Sequence, residues 1–204
     1  HGVALIPEKE KFIQLVNFIG QKYMVEALLP RILENGSVSF ISSSGGYGWE
    51  NKIELINEYI NLNTFEEQVE WVEGHMPIFS EGYMSDSYCF SKQCINAYVK
   101  SKVRSPEFIN KKIRVNAIAP SYTISGLTKD FNLAISQDGS EESGEKLMHD
   151  LFLKSWNGRP GTSEDMGYPL VMIGSNLFGY LSGQVIYIDF GMTGEMDYKN
   201  LLSK

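Results

Sequence analysis

Three short β-rich runs, each ending in a polar turn and separated from the next by helix-length sequence, constrain this chain more than any other feature. They are Ser37-Val-Ser-Phe-Ile-Ser42, Ile113-Arg-Val-Asn-Ala-Ile-Ala119, which stops at Pro120, and Gly183-Gln-Val-Ile-Tyr-Ile-Asp189. Parallel strands need a long crossover, usually a helix, and the intervening segments carry apolar residues at helical spacing. Val16, Ile19, Tyr23 and Ala27 mark a helix over Val16–Leu29. Ile53, Ile56 and Ile60, then Phe65, Val69 and Val72, mark two short amphipathic helices split near Asn61–Thr64. A longer helix runs from about Ser87 to Arg104, and Thr162-Ser-Glu-Asp165 is a capping box opening a helix that lasts to about Gly174. Gly74–Ser87, with Pro77 and Gly82, reads as a loop, and polar Gly139-Ser-Glu-Glu-Ser-Gly144 as a solvated loop. The expectation is an α/β fold with a mainly parallel sheet and helices on its faces. With no repeat and no linker, residues 1–204 read as one domain.

Charge narrows the partners. Eighteen basic against 25 acidic residues leave a net charge of −7, which repels a phosphate backbone and provides no polybasic patch for anionic lipid. The longest apolar runs, such as Val185 to Ile188 broken by Tyr187, fall far short of the ~20 residues of a membrane span. Neither nucleic acid nor a membrane is expected as a partner. Cys89 and Cys94, the two cysteines, sit five apart on one helix and point to different faces, so no disulfide or metal pair is expected and a reducing, cytoplasmic setting follows. His1-Gly-Val-Ala-Leu-Ile-Pro7 lacks a basic n-region and a long h-region and does not read as a signal peptide.

Three constellations carry chemistry. Tyr88 and Lys92 lie four apart and share one helix face. An ammonium held about 5 Å from a phenol, at an effective dielectric near 20, favours the phenolate by roughly 3 kcal/mol, or about two pK units. That expectation brings Tyr88 toward a working acid or base. Ser42, Ser43 and Ser44 follow a strand at its carboxyl end, where open α/β sheets place their ligand crevice. Asn116-Ala-Ile-Ala-Pro120-Ser-Tyr-Thr-Ile-Ser125 is a strand that stops at a proline and turns into a hydroxyl-rich loop. All three follow strands of one parallel sheet and so converge at one edge. Other sites are not supported: Gly46-Tyr-Gly48 lacks the third glycine of a dinucleotide loop because Asn51 stands in its place, no nucleophile elbow surrounds any serine, and the three histidines form no metal cluster.

Together these residues resemble the short-chain dehydrogenase/reductase family over essentially the whole chain. The resemblance is carried by Val16-Asn17-Phe-Ile-Gly20, Ile41-Ser-Ser43, Tyr88-x-x-x-Lys92, Arg114-Val-Asn-Ala-Ile-Ala-Pro120, Gly158-Arg-Pro and Gly183-Gln-Val-Ile-Tyr-Ile-Asp189-Phe-Gly191. It implies a Rossmann-type doubly wound fold, NAD or NADP as cofactor, and a catalytic tetrad of Asn17, Ser43, Tyr88 and Lys92. In that tetrad Tyr88 transfers the proton, Ser43 holds the substrate oxygen, Lys92 holds the nicotinamide ribose and lowers the tyrosine pKa, and Asn17 anchors a water. It also implies that Pro120, Thr123 and Ser125 contact the nicotinamide, with Ser125 where the family usually has Thr. Ser43 and Tyr88 are 45 positions apart, longer than most members. This is similar to the bacterial 3α-hydroxysteroid dehydrogenase/carbonyl reductases, and it makes about 50–80 a helical insertion that alters the usual dimer surface. A homo-oligomer is expected.

Two departures stand out: Ser121 replaces the usual Gly after Pro120, and Phe190 replaces the first Gly of a closing Asp-Gly-Gly. His1-Gly2 aligns with the end of the family's Asn-Asn-Ala-Gly motif, so its first strands and phosphate turn are expected to lie outside this sequence. The implied reaction interconverts a secondary alcohol and a ketone, with a hydroxysteroid or similar apolar carbonyl compound as substrate. Tyr122–Leu127 and Leu147–Trp156 are expected to form its lid. Two other readings accompany it: a non-catalytic remnant or interaction subunit, and a serine hydrolase, which requires a histidine within reach of Ser43.

Overall fold

The computed structural model describes residues 10–79, 86–136, 138–154 and 159–203. His1-Gly2, Gly158 and parts of the expected 74–87 loop and 147–156 lid lie outside those residues. The elements run α1 (Glu10–Gln14), a π-helical turn (Leu15–Ile19), α2 (Gly20–Leu28), β1 (Ser37–Ile41), α3 (Ile53–Ile60), α4 (Phe65–Gly74), α5 (Asp86–Lys102), α6 (Pro106–Ile109), β2 (Arg114–Pro120), α7 (Thr128–Ile135), α8 (Glu141–Met148), α9 (Ser163–Gly174), β3 (Val185–Ile188) and α10 (Met192–Leu202). The three strands pair in the order β1-β2-β3, both ladders parallel, with Ser37 opposite Arg114 and Ala117 opposite Val185. The sheet carries helices on both faces, as the alternation of strand and helix required.

Strand β2 is central and buried along all but its last residue, which is why it reads as a nearly continuous apolar run. Its two polar residues are structural. The Arg114 guanidinium donates to the carbonyls of Ile173 at 2.7 Å, Ser175 at 3.0 Å, Phe178 at 3.1 Å and Gly174 at 3.3 Å. These are the carbonyls at and just beyond the α9 C-terminus, where the helix dipole favours a cation. Asn116 donates to the Leu181 carbonyl and accepts from the Gln184 amide, which delivers the chain into β3.

The 50–80 segment is more than a surface excursion. Ile56, Tyr59, Ile60 and Val72 are buried in the main core with Phe18, Phe40, Phe90 and Tyr98. Trp71 stacks on Tyr59 with ring centroids 4.5 Å apart, and its indole N–H donates to Glu58. Thr64 and Glu67 form a reciprocal capping box at the start of α4.

The structure departs from the sequence expectation in five places. The first helix begins at Glu10, ahead of Val16, and is broken by the π turn. Gly139–Gly144 is not a loop throughout: Ser140 caps α8 through the Ser143 amide, and Gly144 is buried inside that helix. An alanine Cβ at Gly144 would stand 1.7 Å from the Asn132 carbonyl oxygen, so the missing side chain is what lets α8 cross α7. Helices α7 and α10 fill regions left unassigned, and the last strand is trimmed to Val185–Ile188. The capping box at Thr162 is present, its Asp165 carboxylate also held by Arg159.

Candidate active site

Ser42 and Ser43 follow the carboxyl end of β1. Ser42 donates its hydroxyl to Asn96 at 2.6 Å, and Asn96 in turn donates to the Gly46 carbonyl at 3.0 Å, so the turn after β1 is seated on α5. Any side chain at Gly46 would meet Asn96 Nδ2 at 2.6 Å and the Lys92 carbonyl at 3.0 Å; the close approach requires glycine. Ser43 is extended, and its oxygen accepts the Gly45 amide at 3.1 Å. The Ser43 hydroxyl and the Tyr88 phenol line the same cleft, close enough that the serine favours the ionised phenol. Two hydroxyls, one from a strand end and one from a helix, therefore point at the same place.

Tyr88 lies in the first turn of α5 and Lys92 one turn further on, with the ammonium 5.6 Å from the phenol ring centroid. Lys92 is 2% exposed and donates to the Ile41 carbonyl at 3.0 Å. The expected two-unit fall in the tyrosine pKa is absent from this state. Burial pushes Tyr88 up to about 12, against a lowering by the Ser43 hydrogen bond. The same burial penalises the ammonium and brings Lys92 down to about 8. The shared desolvation outweighs the attraction on which the sequence argument rested, because both groups lose water together.

A cleft of about 540 Å³ opens over this pair, within the usual range of small-molecule sites. Ser43, Tyr88, Lys92, Pro120, Thr123 and Ser125 all line it. The turn after β1, the loop after β2 and helix α5 thus meet where the sequence placed them. Thr123 bridges to Gly161 and its hydroxyl donates to the Ser121 carbonyl, while Ser125 accepts the Leu127 amide in a local turn. Of the expected lid, Tyr122, Leu127 and Phe152 reach the cleft, whereas Leu151 is exposed. Met148 of α8, within the expected lid, lines the cleft as well, and Phe131 of α7 and Met166 of α9, which the sequence reading had not assigned, complete the apolar wall.

Asn17 does not line the cleft. It is fully buried in the π turn behind it and donates to the Ser91 hydroxyl at 3.2 Å, which donates to the Tyr88 carbonyl at 2.7 Å. The Gly20 amide closes the wide turn onto the Leu15 carbonyl, and a Cβ at Gly20 would crowd that oxygen at 2.9 Å. Gln14, one turn earlier, donates to both the carbonyl and the hydroxyl of Ser87 at 2.6 and 3.0 Å. Sequence reasoning missed Gln14, Ser87 and Ser91. They form two struts that register the π turn against the residues carrying Tyr88.

Among the described residues no group of acidic, cysteine or histidine side chains is placed to hold a metal, and no helix is long and apolar enough to cross a membrane. His75 hydrogen-bonds the Trp71 carbonyl and stacks on its ring, and His149 lies beside Asp150; neither lines the cleft, so no hydrolase dyad forms with Ser43 among the described residues.

A parallel α/β sheet whose first strand end brings a serine to a tyrosine–lysine pair on α5 fits a Rossmann-type class. The chain belongs to the short-chain dehydrogenase/reductase family: the family model described as enoyl-(acyl carrier protein) reductase matches residues 78–193, more than half of it. It is 24% identical over 178 residues to coniferyl-alcohol dehydrogenase of Pseudomonas sp. strain HR199, covering 87% of this chain and 63% of that protein. It is 30% identical over 106 residues to 3-oxoacyl-[acyl-carrier-protein] reductase FabG of Rickettsia prowazekii, 52% of this chain and 38% of the relative. The chain thus spans less than two thirds of the length of these curated relatives. Among solved structures, the fold matches 3-alpha-hydroxysteroid dehydrogenase from Pseudomonas sp. B-0831, complexed with NADH, at a TM-score of 0.76 and 14% identity over 98% of this chain and 72% of that one.

Proposed function

We propose that this chain belongs to an NAD(P)-dependent dehydrogenase that interconverts a secondary alcohol and a ketone. The observation that carries the reading is the Ser43–Tyr88 hydroxyl pair facing a predominantly apolar cleft, with Lys92 one turn behind. The Ser43 hydroxyl fixes the substrate oxygen, and the Tyr88 phenol gives or takes its proton at Oη. The lysine's buried ammonium has one carbonyl partner, Ile41, at the cleft floor, and this donor suits the ribose hydroxyls of a nicotinamide nucleotide. The backbone around Pro120 and Thr123 and the Ser125 turn suit its amide end. A nicotinamide, when bound, supplies the hydride. Asn17, through Ser91, holds the tyrosine in register, and as a positioning residue it need not touch substrate.

The apolar wall of Phe131, Met148 and Met166 favours an uncharged, apolar carbonyl compound, a hydroxysteroid among them. We read residues 1–204 as one domain with α3 and α4 as its insertion. Two free thiols suit a cytoplasmic setting. The homo-oligomer expected from the family is tested by light scattering.

The test is direct. The intact protein should quench or shift NADH or NADPH fluorescence and turn over a panel of apolar ketones. Tyr88→Phe should bind the nucleotide unchanged and lose about 10²–10⁴-fold in turnover. Failure to bind either nucleotide would sink the reading, and full activity in Tyr88→Phe would sink the mechanism.

A further inference from the structure

The Asp189-Phe190-Gly191 turn carries a side chain that neither packing nor backbone preference explains. Phe190 has φ of 55°, in the left-handed region that a bulky residue rarely enters, and the residue is 71% exposed. The turn is held from both sides: the Asp189 carboxylate accepts the Gly191 amide at 2.9 Å, the Thr193 amide at 2.8 Å and the Thr193 hydroxyl at 2.6 Å. A glycine would satisfy that geometry without strain. A phenyl group kept there at a steric cost, and also facing solvent, is a feature that clusters at functional sites.

Its surroundings say which function. Phe190 walls a chamber of about 160 Å³ with Phe152, Leu153, Met166 and Ile188, and the chamber shares Ser121, Tyr122, Phe152 and Met166 with the main cleft. Tyr122 and Phe152 form a tilted pair, ring centroids 6.4 Å apart, at the junction. The charged groups at the chamber are already engaged: Arg159 grips Asp165 through two bonds of 2.6 and 3.2 Å, and Asp189 is spent on its own turn. Beside these engaged polar groups, Phe152, Leu153, Met166, Ile188 and Phe190 give the chamber one apolar side, and its volume is of single-ring size, since a cavity of about 150 Å³ holds a benzene ring.

We propose that this chamber is a distal subsite of the cleft that takes an uncharged ring of the substrate, and that Phe190 is its specificity-determining residue. The proposal rests on the dehydrogenase reading for the identity of the cleft. The substrate class it implies is a ketone or secondary alcohol with an apolar ring system whose far ring lies away from the reacting carbon and reaches the chamber past Tyr122 and Phe152.

The experiment compares wild type, Phe190→Gly and Phe190→Asn, two residues that accept a left-handed backbone, so the fold is kept. Two probes are used, 2-acetylnaphthalene and cyclohexanone, with kcat/KM measured under NADH or NADPH and binding measured by calorimetry. Thermal unfolding and solution mass are followed alongside. The expected result is about a tenfold loss in kcat/KM and affinity for 2-acetylnaphthalene, no change for cyclohexanone, and an unfolding temperature no lower than wild type. Equal effects on both probes, or no effect on either, would overturn it. So would a change in solution mass with the probe ratio intact, which would make Phe190 a contact between copies of the chain. If neither nucleotide binds while Phe190-dependent binding of 2-acetylnaphthalene persists, the dehydrogenase reading falls and the subsite stands.

Discussion

Lys92 stands one helical turn beyond Tyr88 with its ammonium 5.6 Å from the phenol ring centroid, and both are buried, so the charged form of each is poorly hydrated. Burial raises the phenol to about 12 and lowers the lysine to about 8. The pair is therefore a chemical device held at the expense of stability.

That cost is measurable through pH. Unfolded, Lys92 titrates near 10.5; folded, it titrates near 8. Below pH 8 it is charged in both states, and the folded state carries the full desolvation penalty. Between pH 8 and 10.5 the unfolded chain binds more protons, so this lysine's penalty shrinks as pH rises. Replacing Lys92 with methionine should stabilise the fold by an amount on the order of 1–3 kcal/mol at pH 7 while removing activity. Denaturant unfolding at pH 7 and pH 10 checks it: the advantage of Lys92→Met should fade at the higher pH, and a pH-independent difference would contradict the burial account.

Gln14 bonds a carbonyl and a hydroxyl of Ser87, 73 positions away, in a fully buried setting. Gln14→Leu keeps the volume and removes both bonds. It should cost about 1–3 kcal/mol of stability and lower kcat while KM and nucleotide affinity hold, because Tyr88 loses its register and the cleft walls stay in place. Steady-state kinetics with a nucleotide titration separate this from general unfolding, which would lower all of them together.

The same contrast explains what the sequence could and could not tell. Tyr88 and Lys92 are four apart on one helix, and Ser43 and Pro120 follow strands, so local spacing and parallel topology were enough to bring them to one edge. The Gln14–Ser87 and Asn17–Ser91 struts join segments more than 70 positions apart and leave no local pattern. The π turn around Asn17 announces itself only through Gly20, which any helix interior also tolerates. Ser140 to Gly144 is polar enough for a loop and equally for the solvated first turns of a helix. Its apolar anchor, Met148, arrives too late in the run to decide. The spacing of Ile56, Ile60 and Val72 did announce two amphipathic helices, but which core they cover was a tertiary fact.

Arg114 illustrates how a family motif residue serves the site from a distance. Its fork reaches four carbonyls around the α9 C-terminus, and α9 contributes Met166 to the cleft. Arg114→Lys keeps the charge but not the fork, so fewer carbonyls are satisfied; the expected loss is about 2 kcal/mol in denaturant unfolding. Kinetic effects should fall on KM for apolar ketones and leave nucleotide affinity alone.

Gly144 gives the sharpest steric test of the lid. Its ideal Cβ position is 1.7 Å from the Asn132 carbonyl oxygen, so even Gly144→Ala forces α7 and α8 apart. The move displaces Phe131 and Met148, which line the cleft from those two helices. Overpacking of this kind costs about 1–3 kcal/mol, and it reaches the tyrosine as well as the wall, because Phe131 meets the Tyr88 ring edge-on with centroids 5.4 Å apart. The expected signature is a lower unfolding temperature, a raised KM for apolar ketones and a lower kcat, with nucleotide affinity unchanged. A variant that kept both kcat and KM at wild-type values would show that the α7–α8 crossing does not set the position of Phe131.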